Sequence, residues 1–436
     1  MRLKLLGLAF ACGILLGATA ASAAAPSFSA PVRLGFEAGD DWEPAIAADR
    51  FGHVYSFWNH YGDDPFCPDC PSPHMELQVS SDGGVTWSNP RPLLPDATVR
   101  QDDPQIVVDP VDGRTVYTAF MMGDKSSMFV AKSTDFGASW NSVLVESLQR
   151  GTDKDILAVR GDYVVLVWNA VMKIYASVSH DGGQTWKTVN IARPTTNSKL
   201  GWALPSGGAI DSNGNAYFAW AGYEGNGKPS GDVNLFLTKS SDGGNTWTTK
   251  RIDVSGPPPS CDCGGWAYWG AQIAVAVDAR DRVYVLYNAS DERFAVSRMY
   301  FRRSTDRGNT WSARQDVSEA PAGSNNLFPA IVARANGDVR IAWQDDRNGF
   351  DAGGDDPGAR WNTYYRSSAD RGSTWSDEAQ LSQFVAGHSY KFADGYLEPY
   401  GDYFELDIDG AGKTHALWGE GPSYAGPGNV WYARSN

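Results

Sequence analysis

Short apolar runs of four to six residues recur along the chain, and they come in pairs. The first run of a pair ends in a small polar turn and the second in an aromatic residue, as in Ala45–Asp49 followed by Val54–Trp58. Runs of this length and composition, bounded by turn residues, predict β-strands. No long stretch has the 3.6-residue periodicity of an amphipathic helix. We therefore predict an all-β chain with seven strand pairs, which begin at Ala45, Gln105, Ile156, Gly207, Ile273, Ala330 and Phe404.

A turn motif of the form S-x-D-x-G-x-[TS]-W follows six of the seven pairs, at intervals of 46 to 64 residues. Its Asp can accept hydrogen bonds from nearby backbone N–H groups, its Gly supplies the positive φ of a tight turn, and its Trp begins the next strand. A turn motif at this period predicts a repeat architecture. We assign its six aspartates to turn structure rather than to catalysis: Asp82, Asp135, Asp181, Asp242, Asp306 and Asp370.

The seventh pair has no such motif and is followed only by the apolar run Asn429–Arg434. The segment Ser29–Leu34, before the first pair, resembles the strand that follows the first motif. We expect this N-terminal segment to form the outer strand of the last sheet and to close a ring, which leaves few exposed sheet edges. The prediction is a seven-bladed β-propeller, with six blades as the alternative.

The repeated motif resembles the Asp-box, or bacterial neuraminidase repeat, of the sialidase superfamily. The resemblance covers nearly all of the chain and implies a propeller that cleaves a carbohydrate. Sialidases have six blades, an arginine triad, a Tyr–Glu nucleophile pair and an Asp acid/base. Here Pro31–Gly35 lacks the F/Y-R-I-P segment, and Trp58–Asp64 has aspartates but no arginine. The chain is therefore not a clear match to a catalytic sialidase.

The first 23 residues predict a secretory signal peptide, because basic Arg2 and Lys4 precede an apolar run and a small-residue cleavage site that ends at Ala23. We expect residues 24–436 to form one propeller domain, secreted or periplasmic, monomeric and not inserted in a membrane. The formal net charge of −14 makes nucleic acid an unsuitable partner. A carbohydrate is the expected ligand or substrate.

One face of the predicted ring carries the connections from second to third strands and those from one blade to the next. Aligning the repeats on the strand-end Asp49 places the residue six positions earlier at the mouth of the central channel on that face. These seven predicted mouth residues are Glu43, Asp103, Asp153, Pro205, Gln272, Phe328 and Tyr403. Carboxylates, an amide and a phenol around one axis favour a ligand site, and a solvated rim is the alternative.

Tyr403 and Glu405 are two residues apart, so both should project from one side of a strand. By the resemblance, we expect Tyr403 with Glu405 or Glu420 as nucleophile or base and Asp63 or Asp103 as the acid. Arg293 and Arg347 are expected to bind an acidic sugar, or part of a complex glycan. A lyase with Tyr403 or His60 as base, and a non-catalytic propeller that binds a glycan or a protein, are alternatives. The substrate-binding candidates are Glu43, Asn59, His60, Asp153, Gln272, Arg293, Gln344, Arg347 and Tyr400.

Four cysteines lie in loops of the predicted site face: Cys67, Cys70, Cys261 and Cys263. In an exported protein they predict disulfides of undetermined pairing, and a four-thiolate metal site is the alternative. We assign no metal site. Calcium is the one cofactor that the acidic segment from Asp345 to Asp356 would suit, and a solvated loop with internal Asp–Arg pairs is the simpler interpretation.

Overall fold

The computed structural model describes residues 23–35, 39–147, 152–170, 172–192, 201–225, 231–257, 270–347, 361–383, 403–420 and 428–436. Within these ranges the strands form seven antiparallel four-stranded sheets, and no helix occurs. The all-β, seven-bladed prediction is confirmed, and the six-bladed alternative is not the observed arrangement.

Each blade runs from an inner strand at the central axis to an outer strand at the rim. Blade 1 consists of β2 (Asp40–Ala48), β3 (Val54–Tyr61), β4 (His74–Ser80) and β5 (Arg91–Pro92). Blade 2 consists of β6 (Gln101–Val108), β7 (Val116–Met122), β8 (Ser127–Ser133) and β9 (Asn141–Ser147). Blade 3 consists of β10 (Thr152–Arg160), β11 (Tyr163–Ala170), β12 (Lys173–Ser179) and β13 (Lys187–Ala192).

The remaining blades follow the same order. Blade 4 consists of β14 (Trp202–Ile210), β15 (Ala216–Tyr223), β16 (Val233–Ser240) and β17 (Thr248–Ser255). Blade 5 consists of β18 (Ile273–Val277), β19 (Val283–Ala289), β20 (Arg298–Ser304) and β21 (Gln315–Asp316). Blade 6 consists of β22 (Asn326–Arg334), β23 (Asp338–Asp345), β24 (Asn362–Ser368) and β25 (Ala379–Gln380). Blade 7 consists of β26 (Glu405–Ile408), β27 (Thr414–Glu420), β28 (Asn429–Arg434) and β1 (Val32–Leu34).

The N-terminal strand β1 completes blade 7, as the sequence predicts. It pairs antiparallel with β28, with Val32 opposite Tyr432 and Leu34 opposite Val430. Leu34 is buried in an apolar cluster that joins this last sheet to blade 1. The two ends of the chain therefore hold the ring closed through backbone pairing and a shared core.

The six Asp-box motifs form the turns between third and fourth strands. In the first, Asp82 Oδ1 accepts from the backbone N–H of Thr86 at 2.9 Å, and Oδ2 accepts from the Thr86 hydroxyl at 2.6 Å. These bonds lower the pKa of Asp82 below its usual range, although the side chain is solvent-exposed. The same bonds recur in the other motifs that the structure describes, and they account for these aspartates as turn residues.

Neighbouring blades pack face to face through apolar side chains. Successive side chains along a strand project to opposite faces of the blade, and so toward opposite neighbours. The second strands carry the largest of these side chains, and Trp58, Trp220, Trp343 and Trp418 are fully buried. The seven inner strands surround a central channel. Its upper part, on the face of the second-to-third-strand loops, is a cavity of about 270 Å³, and the lower part is one of about 660 Å³. No helix in the described part of the chain is long and apolar enough to cross a membrane.

Candidate functional site

The upper mouth of the channel is shaped by β-bulges in the inner strands. The pairing register shifts at corresponding positions in β2, β6 and β10, and again in β14 and β22. Four bulge residues have left-handed φ angles of 46° to 57°: Glu43, Asp103, Lys154 and Phe328. A bulge bends its strand and redirects a side chain. Here it brings side chains from three blades into contact.

The structure differs from the sequence alignment by one residue in blade 3. Lys154, not Asp153, has the left-handed φ at the bulge and contacts the mouth residues of blades 1 and 2. The alignment took Val159 as the end of the first strand of blade 3, but β10 continues to Arg160 before a shorter turn, and the residue six positions before Arg160 is Lys154. The mouth position that the alignment assigned to a carboxylate is therefore held by a cation.

A buried ion cluster occupies this part of the mouth. Lys154 Nζ lies 2.5 Å from Glu43 Oε1 and 2.6 Å from Asp103 Oδ1. Lys125, in the β7–β8 loop, places its Nζ 2.7 Å from Asp103 Oδ2 and also pairs with Asp153. Asn59 Nδ2 donates to Glu43 Oε2 at 2.7 Å. The structure thus brings together Glu43, Asn59, Asp103 and Asp153, four of the predicted site residues.

The two lysines decide the charge state of Asp103. Burial alone would raise the pKa of this carboxyl, but Lys125 and Lys154 outweigh burial and lower it well below its usual range. Asp103 is therefore an ionised carboxylate at neutral pH and cannot donate a proton as the predicted acid. This finding argues against the acid role that we considered for Asp103.

Asp155 has the opposite character. It follows Lys154, is 2% exposed and lines the upper cavity, and neither of its carboxyl oxygens has a hydrogen-bond partner among the described residues. Burial, with Asp103 as a further cause, raises its pKa well above the usual range, which favours the protonated carboxyl. Sequence analysis missed Asp155, Lys154 and Lys125. The signal was available in the polar run Thr152–Asp155 at the start of an inner strand.

Tyr403 and Glu405 both border the cavity, as their two-residue spacing predicts. They do not pair with each other, because the Tyr403 hydroxyl donates to the carbonyl oxygen of Pro104 at 3.1 Å and Glu405 Oε2 accepts from the N–H of Ile46 at 3.1 Å. Burial raises the pKa of Glu405 to about 8. The ring of Tyr403 lies 5.1 Å from Lys154 Nζ, which places this phenol beside the ion cluster.

The other catalytic candidates lie apart from this cluster in the contacts that the structure records. Glu420 is buried on β27 and accepts from the indole N–H of Trp418 at 2.8 Å. Asp63 is exposed in the β3–β4 loop. His60 is buried, with Nδ1 2.8 Å from Asp41 Oδ1. Burial lowers the pKa of His60, but Asp41 outweighs burial and the net pKa is raised.

The two arginines predicted to bind an acidic sugar are engaged elsewhere. Arg347 pairs with Asp345 at 3.0 Å and with Glu378, and its guanidinium lies 3.5 Å from the ring centroid of Tyr364. Arg293 is exposed, pairs with an aspartate of blade 4, and stacks on its neighbour Phe294. Neither lines the upper cavity, whose described lining includes no arginine.

The remaining predicted residues divide between the cavity, the blades and the undescribed segments. Gln272 lines the cavity, whereas Gln344 is buried in blade 6 and donates to the Thr363 hydroxyl at 3.2 Å. Within the acidic segment, Asp345 forms the internal Asp–Arg pair that the simpler interpretation expects. Cys67 and Cys70 form a disulfide. Tyr400, Cys261, Cys263 and Asp356 lie outside the described residues.

Comparisons with known proteins agree with the propeller fold. Residues 47–210 match the BNR repeat-like domain. No curated protein matches the chain by sequence. A protein of unknown function from Dyadobacter fermentans DSM 18053 has a similar structure, with a TM-score of 0.52, 14% identity, and coverage of 94% of this chain and 98% of that chain.

Two enzymes are also among the similar structures. The phage phi92 endosialidase has a TM-score of 0.52 and 10% identity, with coverage of 94% of this chain and 69% of that chain. The Hadza microbial sialidase Hz136 has a TM-score of 0.44 and 14% identity, with coverage of 91% and 66%. At such identities a likeness shows the fold alone.

The fold, the turns and the matched repeats define the class: the chain is a seven-bladed β-propeller with Asp-box turns, and its residues 47–210 match the BNR repeat-like domain. Its resemblance to the sialidase superfamily is confirmed at the level of repeat and fold. It is not a clear match to a catalytic sialidase, because lysines paired with carboxylates stand at the described mouth instead of an arginine cluster.

Proposed function

We propose that this protein cleaves a carbohydrate at the upper mouth of its central channel, as a glycoside hydrolase. The observation that supports this proposal is the convergence of Glu43, Asp103, Asp155 and Tyr403 around Lys154 at the edge of one cavity. Cleavage of a glycosidic bond commonly needs one carboxyl that donates a proton and one that stays charged. Asp155 has the raised pKa of a proton donor, and Asp103 has the lowered pKa of a permanent carboxylate.

The charge at the mouth favours a neutral sugar over an acidic one. The two lysines are matched by three carboxylates, those of Glu43, Asp103 and Asp153. An acidic sugar would find no uncompensated cation among these five groups, whereas hydroxyl groups can both donate to carboxylates and accept from ammonium groups. A cavity of about 270 Å³ is near the lower end of ligand-site volumes and suits a single sugar ring.

In this proposal Asp155 donates the proton to the leaving-group oxygen. Glu43 or Asp103 stabilises the positive charge that develops on the sugar as the glycosidic bond breaks, and Lys154 holds both carboxylates in place. A water molecule then adds to the anomeric carbon and gives a proton back to Asp155. Tyr403 borders the sugar as an aromatic face beside the polar groups. We place the substrate outside the cell, as the N-terminal sequence predicts.

A non-catalytic, glycan-binding propeller is the second candidate. It is favoured by the engagement of Tyr403 with Pro104 and of Glu405 with Ile46, because these bonds leave no Tyr–Glu pair to act as a nucleophile. Binding would use the same mouth residues without bond cleavage.

Product release from a panel of neutral and acidic glycans, with binding measured in parallel, tests both candidates. We expect Asp155→Asn to lower turnover of the active glycan by about 10²–10⁴-fold, the usual contribution of a general acid, with little change in binding. Asp291→Asn, which changes an exposed carboxyl of blade 5, is the matched control and should leave turnover unchanged.

Two outcomes would contradict cleavage at this site. Full turnover by both Asp155→Asn and Asp103→Asn would exclude the assigned roles. Binding of a glycan without product, lost in Lys154→Met, would support the non-catalytic candidate instead.

A further inference from the structure

A second cluster of titratable side chains lies within blade 1, between its third strand and the loop before it. His74 and Glu76 are two residues apart on β4 and project from the same side. Asp64, from the β3–β4 loop, meets them there. His74 Nε2 lies 2.9 Å from Glu76 Oε1 and 3.2 Å from Asp64 Oδ2. All three residues are at most 4% exposed.

The tautomer of His74 is determined by its other nitrogen. Nδ1 lies 2.9 Å from the carbonyl oxygen of Pro71, which can only accept, so Nδ1 carries the hydrogen. In the neutral imidazole Nε2 then carries a lone pair, and this lone pair faces two carboxylate oxygens, which are also acceptors. Three electron pairs that meet at one buried point need a proton or a cation between them.

The carboxylates are short of partners. Glu76 is 0% exposed, and its Oε2 has no hydrogen-bond partner among the described residues. None of the ion pairs recorded in the described ranges joins a Lys or Arg to Asp64 or Glu76. Two carboxyl groups and one imidazole therefore meet with no Lys or Arg paired to them in the described ranges, and a divalent cation would offset the charge of the two carboxylates.

The spacing of the three atoms suits a metal ion. Tetrahedral Zn²⁺ bonds of about 2.0–2.2 Å place adjacent ligand atoms about 3.3–3.5 Å apart. The observed separations of 2.9 and 3.2 Å are within a few tenths of an ångström of that value. We propose that Asp64, His74 and Glu76 bind one divalent transition-metal ion of the Zn²⁺ class, each through one ligand atom.

The surrounding hydrogen bonds are those of a metal site. The Nδ1–H of His74 donates to a backbone carbonyl, and Asp64 Oδ1 accepts from the N–H of Phe66 at 2.6 Å, which leaves Oδ2 for the ion. An imidazole among the ligands favours Zn²⁺ over Ca²⁺ or Mg²⁺. Cys70 Sγ lies within 4.8 Å of the Asp64 and His74 ligand atoms, but its disulfide with Cys67 excludes a thiolate ligand.

Such an ion would be structural rather than catalytic, because its three ligand residues are buried inside blade 1. By binding Asp64 of the β3–β4 loop together with His74 and Glu76 of β4, the ion would hold this loop against the strand. The inference does not depend on the proposed carbohydrate function.

Metal content and metal binding of the intact-disulfide protein, without reductant, test this proposal. We expect the chelator-treated protein to take up one equivalent of Zn²⁺ and to melt at a higher temperature with the ion than without it. His74→Gln and Glu76→Gln should each weaken Zn²⁺ binding at least 10-fold. His53→Gln is the matched control, since His53 also lies in blade 1 and contacts one carboxylate, Asp49 at 2.8 Å, but not two.

Three results would overturn the proposal. The wild-type protein could bind no Zn²⁺ at micromolar concentrations, a result that does not depend on how the variants fold. His74→Gln could retain full affinity, which would place the ion elsewhere, for example at the remaining cysteines. The Co²⁺-substituted protein could show a thiolate charge-transfer band, which three N/O ligands cannot produce.

Discussion

Lys154 links carboxylates from two blades, so replacing it with Met should destabilise the ring. Its side chain is 6% exposed and lies 2.5 and 2.6 Å from Glu43 and Asp103. At an effective dielectric constant of about 20, each pair attracts by about 6 kcal/mol before the cost of desolvation is subtracted. Because that cost is large, the measured loss on removing one partner of a buried pair is about 3–5 kcal/mol.

The expected shift in melting temperature follows from the length of the chain. Unfolding entropy of about 2.1 cal/mol/K per residue, over roughly 400 residues, converts 3–5 kcal/mol into about 4–6 °C. Differential scanning calorimetry at one scan rate measures the shift. Lys125→Met is the matched comparison, and it should lower the melting temperature by less than half as much, because Lys125 is 30% exposed and solvent screens its loss.

The pH dependence separates charge from packing. In the wild type the lowered pKa of Asp103 contributes stability above about pH 4, the ordinary carboxyl pKa, and this contribution is lost as the pH falls toward the folded-state pKa. Without Lys154 the pKa of Asp103 rises, so in acid Asp103 takes up a proton and the uncompensated charge that destabilises the variant is removed. The difference in melting temperature between wild type and Lys154→Met should therefore be smaller at pH 4.5 than at pH 7. A shift below 1 °C at pH 7, or an equal shift at both pH values, would refute the reasoning.

Three further predictions concern other parts of the ring. Burial raises the pKa of Glu405 to about 8, so the wild type should lose stability relative to Glu405→Gln as the pH rises from about 5 to 8. The reason is that over this range the folded state still holds a proton that the unfolded chain has already released. Melting temperatures of the two proteins that change in parallel with pH would contradict this prediction. Leu34→Ala should cost about 2–4 kcal/mol at the ring closure, against less than about 0.5 kcal/mol for the half-exposed Val32→Ala, and equal effects in denaturant unfolding would argue against closure through β1. Asp306→Ala removes the two turn bonds to Thr310 and should lower the melting temperature without changing glycan binding, so altered binding would show that this turn is more than structural.

The fold was predictable because its determinants are local. Each Asp-box contains its own donors, acceptors and glycine, so one turn can be recognised without knowledge of the rest of the chain. Counting strands between these turns left one outer strand missing, and the only unassigned apolar segment was the one around Leu34. Blade number and ring closure followed from that count.

The candidate site was predictable only in part, because its contacts join residues that are far apart in sequence. The alignment put Glu43 and Asp103 at equivalent positions, and both have left-handed φ in the structure, while Tyr403 borders the upper cavity. It failed by one residue in blade 3, since β10 ends at Arg160, before a shorter turn, and the alignment took Val159 as its end. The alignment therefore placed Asp153 where Lys154 stands.

The sequence by itself determined the strands, the turns and the closed circle of blades, because alternating side chains and hairpin bonds act over a few residues. Only the tertiary structure decided the protonation of the acidic groups. Asp103 and Asp155 are chemically identical and lie on the inner strands of adjacent blades, yet Asp103 pairs with Lys125 from a loop and Lys154 from a strand while Asp155 is buried with no hydrogen-bond partner for its carboxyl oxygens among the described residues. A pKa depends on which charges and how much solvent surround a group, and these are set by the meeting of three blades rather than by neighbours along the chain.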